Sequence, residues 1–228
     1  MTAIELIATV FGLACVALTI RRSIWCWPTG LVQVLLYAWI FYRAKLYSDA
    51  LLQVVYVVLQ IYGWYYWLRG GPVEDEPPIA KLGRAGRAGW SVVAAAGALA
   101  IGWAMARFTD AALPYWDAAV VALSLVAQFL LSRKVLENWL FWIVVDVLAI
   151  GVYAAKDLYV TTVLYAVFLA MAVAGWFAWK RTDRRQATQC ESPAPSPVRA
   201  ADSSSASSCP RTAATSSSLS SPASTSST

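Results

Sequence analysis

Asp146 is a carboxylate in the middle of an apolar stretch, and Trp139, Trp142, Asp146 and Tyr153 fall at i, i+3, i+7 and i+14, along one stripe of a helix. An ionisable side chain at that depth in a lipid-spanning segment faces a bundle interior or a water-filled cavity. Its chemistry there is either attraction of a cationic group or, as a protonated acid, a hydrogen bond between helices. Asn138 stands at the head of the same stripe, as a ligand contact or as a cap. Gln53, Tyr56, Gln60, Trp64 and Trp67 form a second stripe at i, i+3, i+7, i+11 and i+14. Glutamine amides facing hydrocarbon would leave polar groups unpaired, so this face must also look inward. Gln33 and Tyr37, one turn apart, and Gln128 add donors and acceptors. Ring planes with a few fixed polar groups suit a flat, polar-edged small molecule, and one acid among the rings favours a positively charged ring system. For Trp67 and Trp179, at the outermost helix ends, the expectation is an interfacial aromatic belt.

A membrane enzyme would need a nucleophile, a metal or a general base. The chain has no histidine and one deep carboxylate, so no catalytic residue, metal site or cofactor is expected. A scaffold whose Ser/Thr-rich tail recruits partners is the other rival. Cys15, Cys26, Cys190 and Cys209 form no C-x-x-C pair and suggest neither a disulfide nor a metal framework.

The elements that must position these residues are membrane helices. Hydrophobic residues make up 59% of the chain and mean hydropathy is +0.56, above the roughly 45–50% apolar content of soluble domains. Seven stretches, about 2–20, 24–42, 48–68, 88–106, 113–132, 138–155 and 158–179, approach the roughly 20 residues that cross a bilayer core. Lipid offers the backbone no partner and the runs lack period-2 alternation, so the expected fold class is an all-α integral membrane protein with seven transmembrane helices. Met1–Ile20 lacks a basic leader and carries Glu5, which reads as a retained first helix.

The chain also repeats itself. Sliding Arg21–Arg69 onto Arg133–Arg181, an offset of 112, aligns 12 identities in 49 positions without a gap, among them Trp27/Trp139, Gly63/Gly175, Trp64/Trp176 and Trp67/Trp179. Each unit holds three helices, and a single helix at Ala88–Ala106 restores the starting side. The copies therefore run parallel in a 3+1+3 order, a build in which the binding site lies between halves. Ala94, Ala98 and Gly102 recur every four residues on the linker helix and suit close packing. The expected organisation is a first three-helix repeat at 1–69, loop and linker helix at 70–112, a second three-helix repeat at 113–181, and a tail at 182–228. Gly70–Gly89 reads as a loop, and its G-x-x-G-x-x-G spacing lacks both the strand and the G-K-[ST] of a phosphate loop. From Gln186 to Thr228 the chain is Ser, Thr, Ala and Pro and cannot bury enough surface to order itself.

With the N-terminus outside, inner loops and the tail as far as Arg185 carry twelve Lys and Arg residues and outer loops four. That asymmetry favours N-out, C-in, and the charge of +5 reports orientation rather than nucleic-acid binding. Glu5 and Asp117, at equivalent places in the two repeats, read as outer-end anchors. Gly30, Pro28 and Gly151 are candidate flexing points.

The stretch from Arg133 through Asn138, Trp139, Trp142 and Asp146, then Leu158-Tyr159, Leu164-Tyr165 and Gly175-Trp176-Phe177-Ala178-Trp179, resembles PnuC-type nicotinamide riboside transporters through its W-x-x-W-x-x-x-[ND] spacing. The first half agrees through Leu46-Tyr47, Gln53, Tyr56 and Gly63-Trp64-Tyr65-Tyr66-Trp67, and the likeness covers about residues 5–181. The resemblance implies a bundle similar to the SWEET sugar transporters, trimeric, in the bacterial inner membrane. It implies facilitated diffusion of nicotinamide riboside, trapped afterwards by a cytosolic kinase, and adds Tyr165 to the site. Related branches carry thiamine or riboflavin, and the pocket's composition leaves the choice among these open.

Overall fold

The computed structural model describes residues 3–43, 45, 47–69, 79–109 and 113–191. Seven helices follow in order: α1 Ala3–Ile20, α2 Cys26–Arg43, α3 Tyr47–Leu68, α4 Arg84–Phe108, α5 Pro114–Ser132, α6 Asn138–Ala155 and α7 Tyr159–Glu191. Residues 1–186 form one compact unit, and the bundle below is that unit. Residues 187–228 form the second unit, described as far as the end of α7.

Six helices, all but α2, are long and apolar enough to cross a membrane. The expected seven spans thus stand as seven helices and six apolar spans; α2 has the length, but Thr29, Gln33 and Arg43 dilute it. Five helices begin and end within two residues of the expected stretches, and α4 and α7 run longer. α4 starts at Arg84 with Gly83 as its N-cap, so Gly86 and Gly89 lie in helix rather than loop, and residues 70–78 lie outside the described residues. α7 continues to Glu191, past the expected tail boundary at 182. Arg181–Ala187 contains no Gly or Pro, and a helix need not stop where its apolar face stops. Residues 192–228 lie outside the described residues.

Four non-glycine residues adopt left-handed backbone: Arg22 (φ 57°), Lys45 (62°), Lys134 (53°) and Asp157 (57°). They are two pairs at the offset of 112, and each follows the end of a helix. Arg22 N–H bonds to Thr19 O and Ser23 N–H to Leu18 O, both at 2.9 Å; Lys134 N–H bonds to Leu131 O at 2.9 Å and Val135 N–H to Leu130 O at 3.0 Å. Both are Schellman closures, in which the left-handed residue satisfies the last carbonyls of the helix. Without glycine each left-handed residue costs roughly 1–2 kcal/mol, so the same uncommon choice made twice marks a shared local design.

The interior is built from tryptophan. Trp27 meets Trp67 edge-on at 5.3 Å and 80°, Trp139 meets Trp179 edge-on at 5.7 Å and 83°, and Trp67 and Trp179 meet at 6.4 Å. The Trp27 ring lies on Gly63 and the Trp139 ring on Gly175, where a Cβ would approach the ring to 2.5–2.6 Å. Lipid is as apolar as this core, so fit between rings and backbone, rather than escape from water, selects such contacts. Trp67 and Trp179 are 6% and 1% exposed, which corrects the expectation of an interfacial belt for both. Trp179 donates its indole N–H to Thr19 O at 3.1 Å.

At the same end of the bundle, Ile79–Leu82 straps the turn between α5 and α6. Ala80 N–H bonds to Lys134 O at 3.1 Å, Leu136 N–H to Ala80 O at 2.8 Å, and Leu82 N–H to a Glu137 carboxylate oxygen at 2.9 Å. Lys81 pairs with Asp183 of α7 at 2.6 Å. α4 lies against α5 through small residues: Ala94 is buried, Gly97 faces Ala122, and Gly102 leaves room for the Tyr115 ring.

Candidate substrate site

The stripe on α6 turns Asp146 inward, where it is 4% exposed. Two turns on, Tyr153 stacks on Tyr165 of α7, with ring centres 5.2 Å apart at 23°. The Tyr165 hydroxyl lies within electrostatic reach of both Asp146 and Tyr56 of α3. Tyr56 in turn lies near Ser124 on α5, whose hydroxyl donates to Val120 O at 2.7 Å. Four helices therefore bring Tyr56, Ser124, Asp146, Tyr153 and Tyr165 to one polar, ring-walled region. Among the described residues no basic side chain pairs with Asp146; the two ion pairs, Lys81–Asp183 and Lys156–Asp117, lie elsewhere. Lys156 holds both Asp117 oxygens at 2.8 Å, joining the start of α5 to the turn after α6.

Gln60 and Gln128 are buried one helical turn beyond Tyr56 and Ser124. The Gln60 amide presses on Gly30, beside the Cys15 sulfur, so Gly30 serves close approach between α2 and α3. Gln33 and Tyr37 turn toward α1. The Gln33 amide lies on Gly12, 2.8 Å from where a Cβ would stand, and the Tyr37 hydroxyl is 3.4 Å from that of Thr9. Gln53 is half-buried on α3. Trp64 and Trp142 are partly buried against the tryptophan cluster. Trp139 belongs to that cluster, 2% exposed, its six-membered ring against Gly175 and its plane at 83° to that of Trp179. Asn138 is fully buried and donates to Val135 O at 2.6 Å, closing the first turn of α6, with its side-chain oxygen unpartnered.

Ser124 is the polar residue that sequence reasoning missed. A lone serine in an apolar helix ordinarily bonds its own preceding turn, as this one also does, and nothing in its spacing announces a neighbour on α3. A cavity of about 340 Å³ opens between the start of α5 and the end of α6, lined by Leu113, Trp116, Val147, Leu148, Gly151, Val152 and Ala155. Its lining carries no charged, amide or hydroxyl side chain and does not include Asp146.

A bundle of apolar helices that turns a carboxylate, phenols and amides inward is the architecture of a multi-pass membrane transporter. Residues 2–181 match the family described as nicotinamide mononucleotide transporter, and the chain belongs to that family. It is 28% identical over 211 residues to the nicotinamide riboside transporter PnuC of Escherichia coli (strain K12), covering 82% of this chain and 88% of that one. It is 30% identical over 198 residues to the PnuC of Neisseria mucosa, covering 80% and 74%. The riboflavin/roseoflavin transporter RibM of Streptomyces davaonensis is 26% identical over 184 residues, covering 79% and 86%. A crystal structure of the vitamin B3 transporter PnuC is similar with a TM-score of 0.65 at 27% identity, covering 78% of this chain and 81% of that one. The protein is thus a membrane transporter and not an enzyme.

Proposed function

We propose that the protein carries nicotinamide riboside across the bacterial inner membrane by facilitated diffusion, with phosphorylation in the cytosol trapping the substrate. The observation that carries this reading is Asp146, a buried carboxylate beside the Tyr153–Tyr165 stack with no basic partner among the described residues. A buried charge calls for an opposite one, and a pyridinium ring with a ribose arm brings both the cation and a planar face. Relatives named as nicotinamide riboside transporters support the same reading. In it Tyr56, Asp146, Tyr153 and Tyr165 surround the ring, with Trp142 and Trp64 as walls. Gln53, Gln60, Gln128 and Ser124 meet the polar arm. Gln33, Tyr37, Asn138 and Trp139 support the helices.

The helices form a 3+1+3 parallel repeat, and α2 crosses the membrane with the other six. The N-terminus lies outside, the C-terminus is cytoplasmic, and three copies assemble. The paired left-handed turns and paired Trp–Gly contacts support the repeat, and the basic residues at the ends of α1, α3, α5 and α7 support the orientation. The halves rock about the Trp67–Trp179 contact to open the site to each side in turn.

A second reading, riboflavin as substrate, is favoured by the RibM relative; its ring system is neutral and has no use for Asp146. Calorimetric titration of the purified protein with nicotinamide riboside, thiamine and riboflavin separates these. Binding of nicotinamide riboside alone, lost in Asp146→Ala, is the expected result. Riboflavin binding that survives Asp146→Ala overturns it, and binding of thiamine alone reassigns the cation.

A further inference from the structure

Arg133 ends α5 in an aromatic cage. Its guanidinium carbon lies 5.9 Å from the Tyr62 ring centre, 5.4 Å from that of Tyr66 and 5.7 Å from that of Phe129. Phe129 itself stacks on Tyr62 of α3 at 6.2 Å and 4° and meets Trp90 of α4 at 5.2 Å, so its ring joins three helices. Arg133 is exposed, and among the described residues no carboxylate pairs with it.

The repeat supplies an internal control. Arg21 is the equivalent arginine at the end of α1, where the positions matching Phe129, Tyr62 and Tyr66 are Ala17, Ala174 and Ala178. The turn closes with the same backbone bonds in both places, so the helix end does not need the rings. What the rings do is hold the guanidinium in place while Arg133 stays exposed, with no carboxylate among the described residues taking up its in-plane N–H edge. That edge is the one that binds two oxygens of a phosphate. Arg69 follows the tyrosines on α3, and Arg87 precedes Trp90 by one turn on α4; both are exposed. At a helix end in a bilayer, a surface of arginines floored by aromatic rings complements one neighbour above others, a lipid with an anionic phosphate headgroup.

We propose that Arg133, caged by Tyr62, Tyr66 and Phe129, is the headgroup contact of an anionic phospholipid site formed where α3, α4 and α5 meet. The full chain is purified in detergent, and its unfolding temperature is followed with phosphatidylglycerol, phosphatidylcholine or inorganic phosphate added, together with native mass spectra of retained lipid. Phosphatidylglycerol is expected to raise the midpoint and to remain bound, whereas the other two have little effect. In Arg133→Gln the shift falls to less than half and the adduct is lost; in Arg133→Lys, a point charge without the planar fork, part of the shift survives; in Arg21→Gln the shift is kept in full. An undiminished shift in Arg133→Gln overturns the proposal, as does an equal response to phosphatidylcholine. Inorganic phosphate alone reproducing the shift makes this a free-anion site. A change of oligomeric mass in Arg133→Gln with the lipid shift intact assigns the cage to contact between copies. If Arg133→Gln does not fold, Arg133→Lys against Arg21→Lys gives the same comparison.

Discussion

The two halves of this bundle share a scaffold and differ in their chemistry. Arg22 and Lys134, Lys45 and Asp157, Trp27 on Gly63 and Trp139 on Gly175 are the same devices used twice. The interior walls are not. Val34 stands where the second half has Asp146, Gly30 where it has Trp142, Gln53 where it has Tyr165, and Phe41 where it has Tyr153. Bulk is even exchanged across the seam between helices. Gly30 accepts the Gln60 amide, whereas the large Trp142 has Ala172 at the position matching Gln60. Backbone geometry admits few substitutes, and wall residues admit many as long as volume is kept. Turns and close contacts thus recur at the offset of 112, while the carboxylate and the stacked phenols stand in one half alone.

This contrast can be broken most sharply at Asp146. Asp146→Ala is expected to weaken binding of a cationic substrate by about 2–5 kcal/mol, the cost of removing one partner from a buried charge contact, whereas Val34→Ala leaves affinity unchanged. Calorimetric titration of both variants checks this, and comparable losses would mean that both halves bind. The scaffold predicts the opposite pattern, with equal effects. Gly63→Ala and Gly175→Ala each drive a methyl group into an indole and should each cost about 1–3 kcal/mol, read as a matching drop in the unfolding midpoint. Markedly unequal drops would show that the halves do not use the contact alike. Tyr165→Phe removes the hydroxyl near Asp146 and Tyr56 and should weaken binding by about 1 kcal/mol, with stability little changed. The smallest effect is expected at the strap. Lys81→Ala breaks a pair whose lysine is 55% exposed, so stability should change by less than about 1 kcal/mol, since main-chain bonds hold Ala80 regardless.

Helix positions were legible in the sequence because lipid demands long apolar runs, and the recurring Trp–Gly contacts were legible because tryptophan is rare enough for repeated spacing to stand out. The inward face of α6 was legible too, since a carboxylate in hydrocarbon has few places to point. Periodicity gives a face, however, and not the neighbour opposite it. Gln33 and Tyr37 share a stripe as polar as that of Asp146, yet they meet α1 at Gly12 and Thr9. Trp67 and Trp179 carry the same pattern whether a helix end meets lipid or another ring; contacts with Trp27, Trp139 and each other bury them. The strap at Ile79–Leu82 left no mark, because it binds through backbone groups that every sequence possesses. Ser124 was hidden for a related reason: its partner arrives from α3, remote in the chain.

The four linked indoles have a consequence for any optical study of this protein. The chain has 12 tryptophans, and successive rings of the cluster stand between 5.3 and 6.4 Å apart. At such spacings excitation passes from ring to ring before it is emitted, so the cluster glows as one lamp. A ligand walled by Trp64 and Trp142, which pack against the cluster, dims that lamp, whereas a tilt between the halves changes its colour and polarisation. Ultraviolet emission from this protein therefore reports the joint through its colour and the cargo through its brightness.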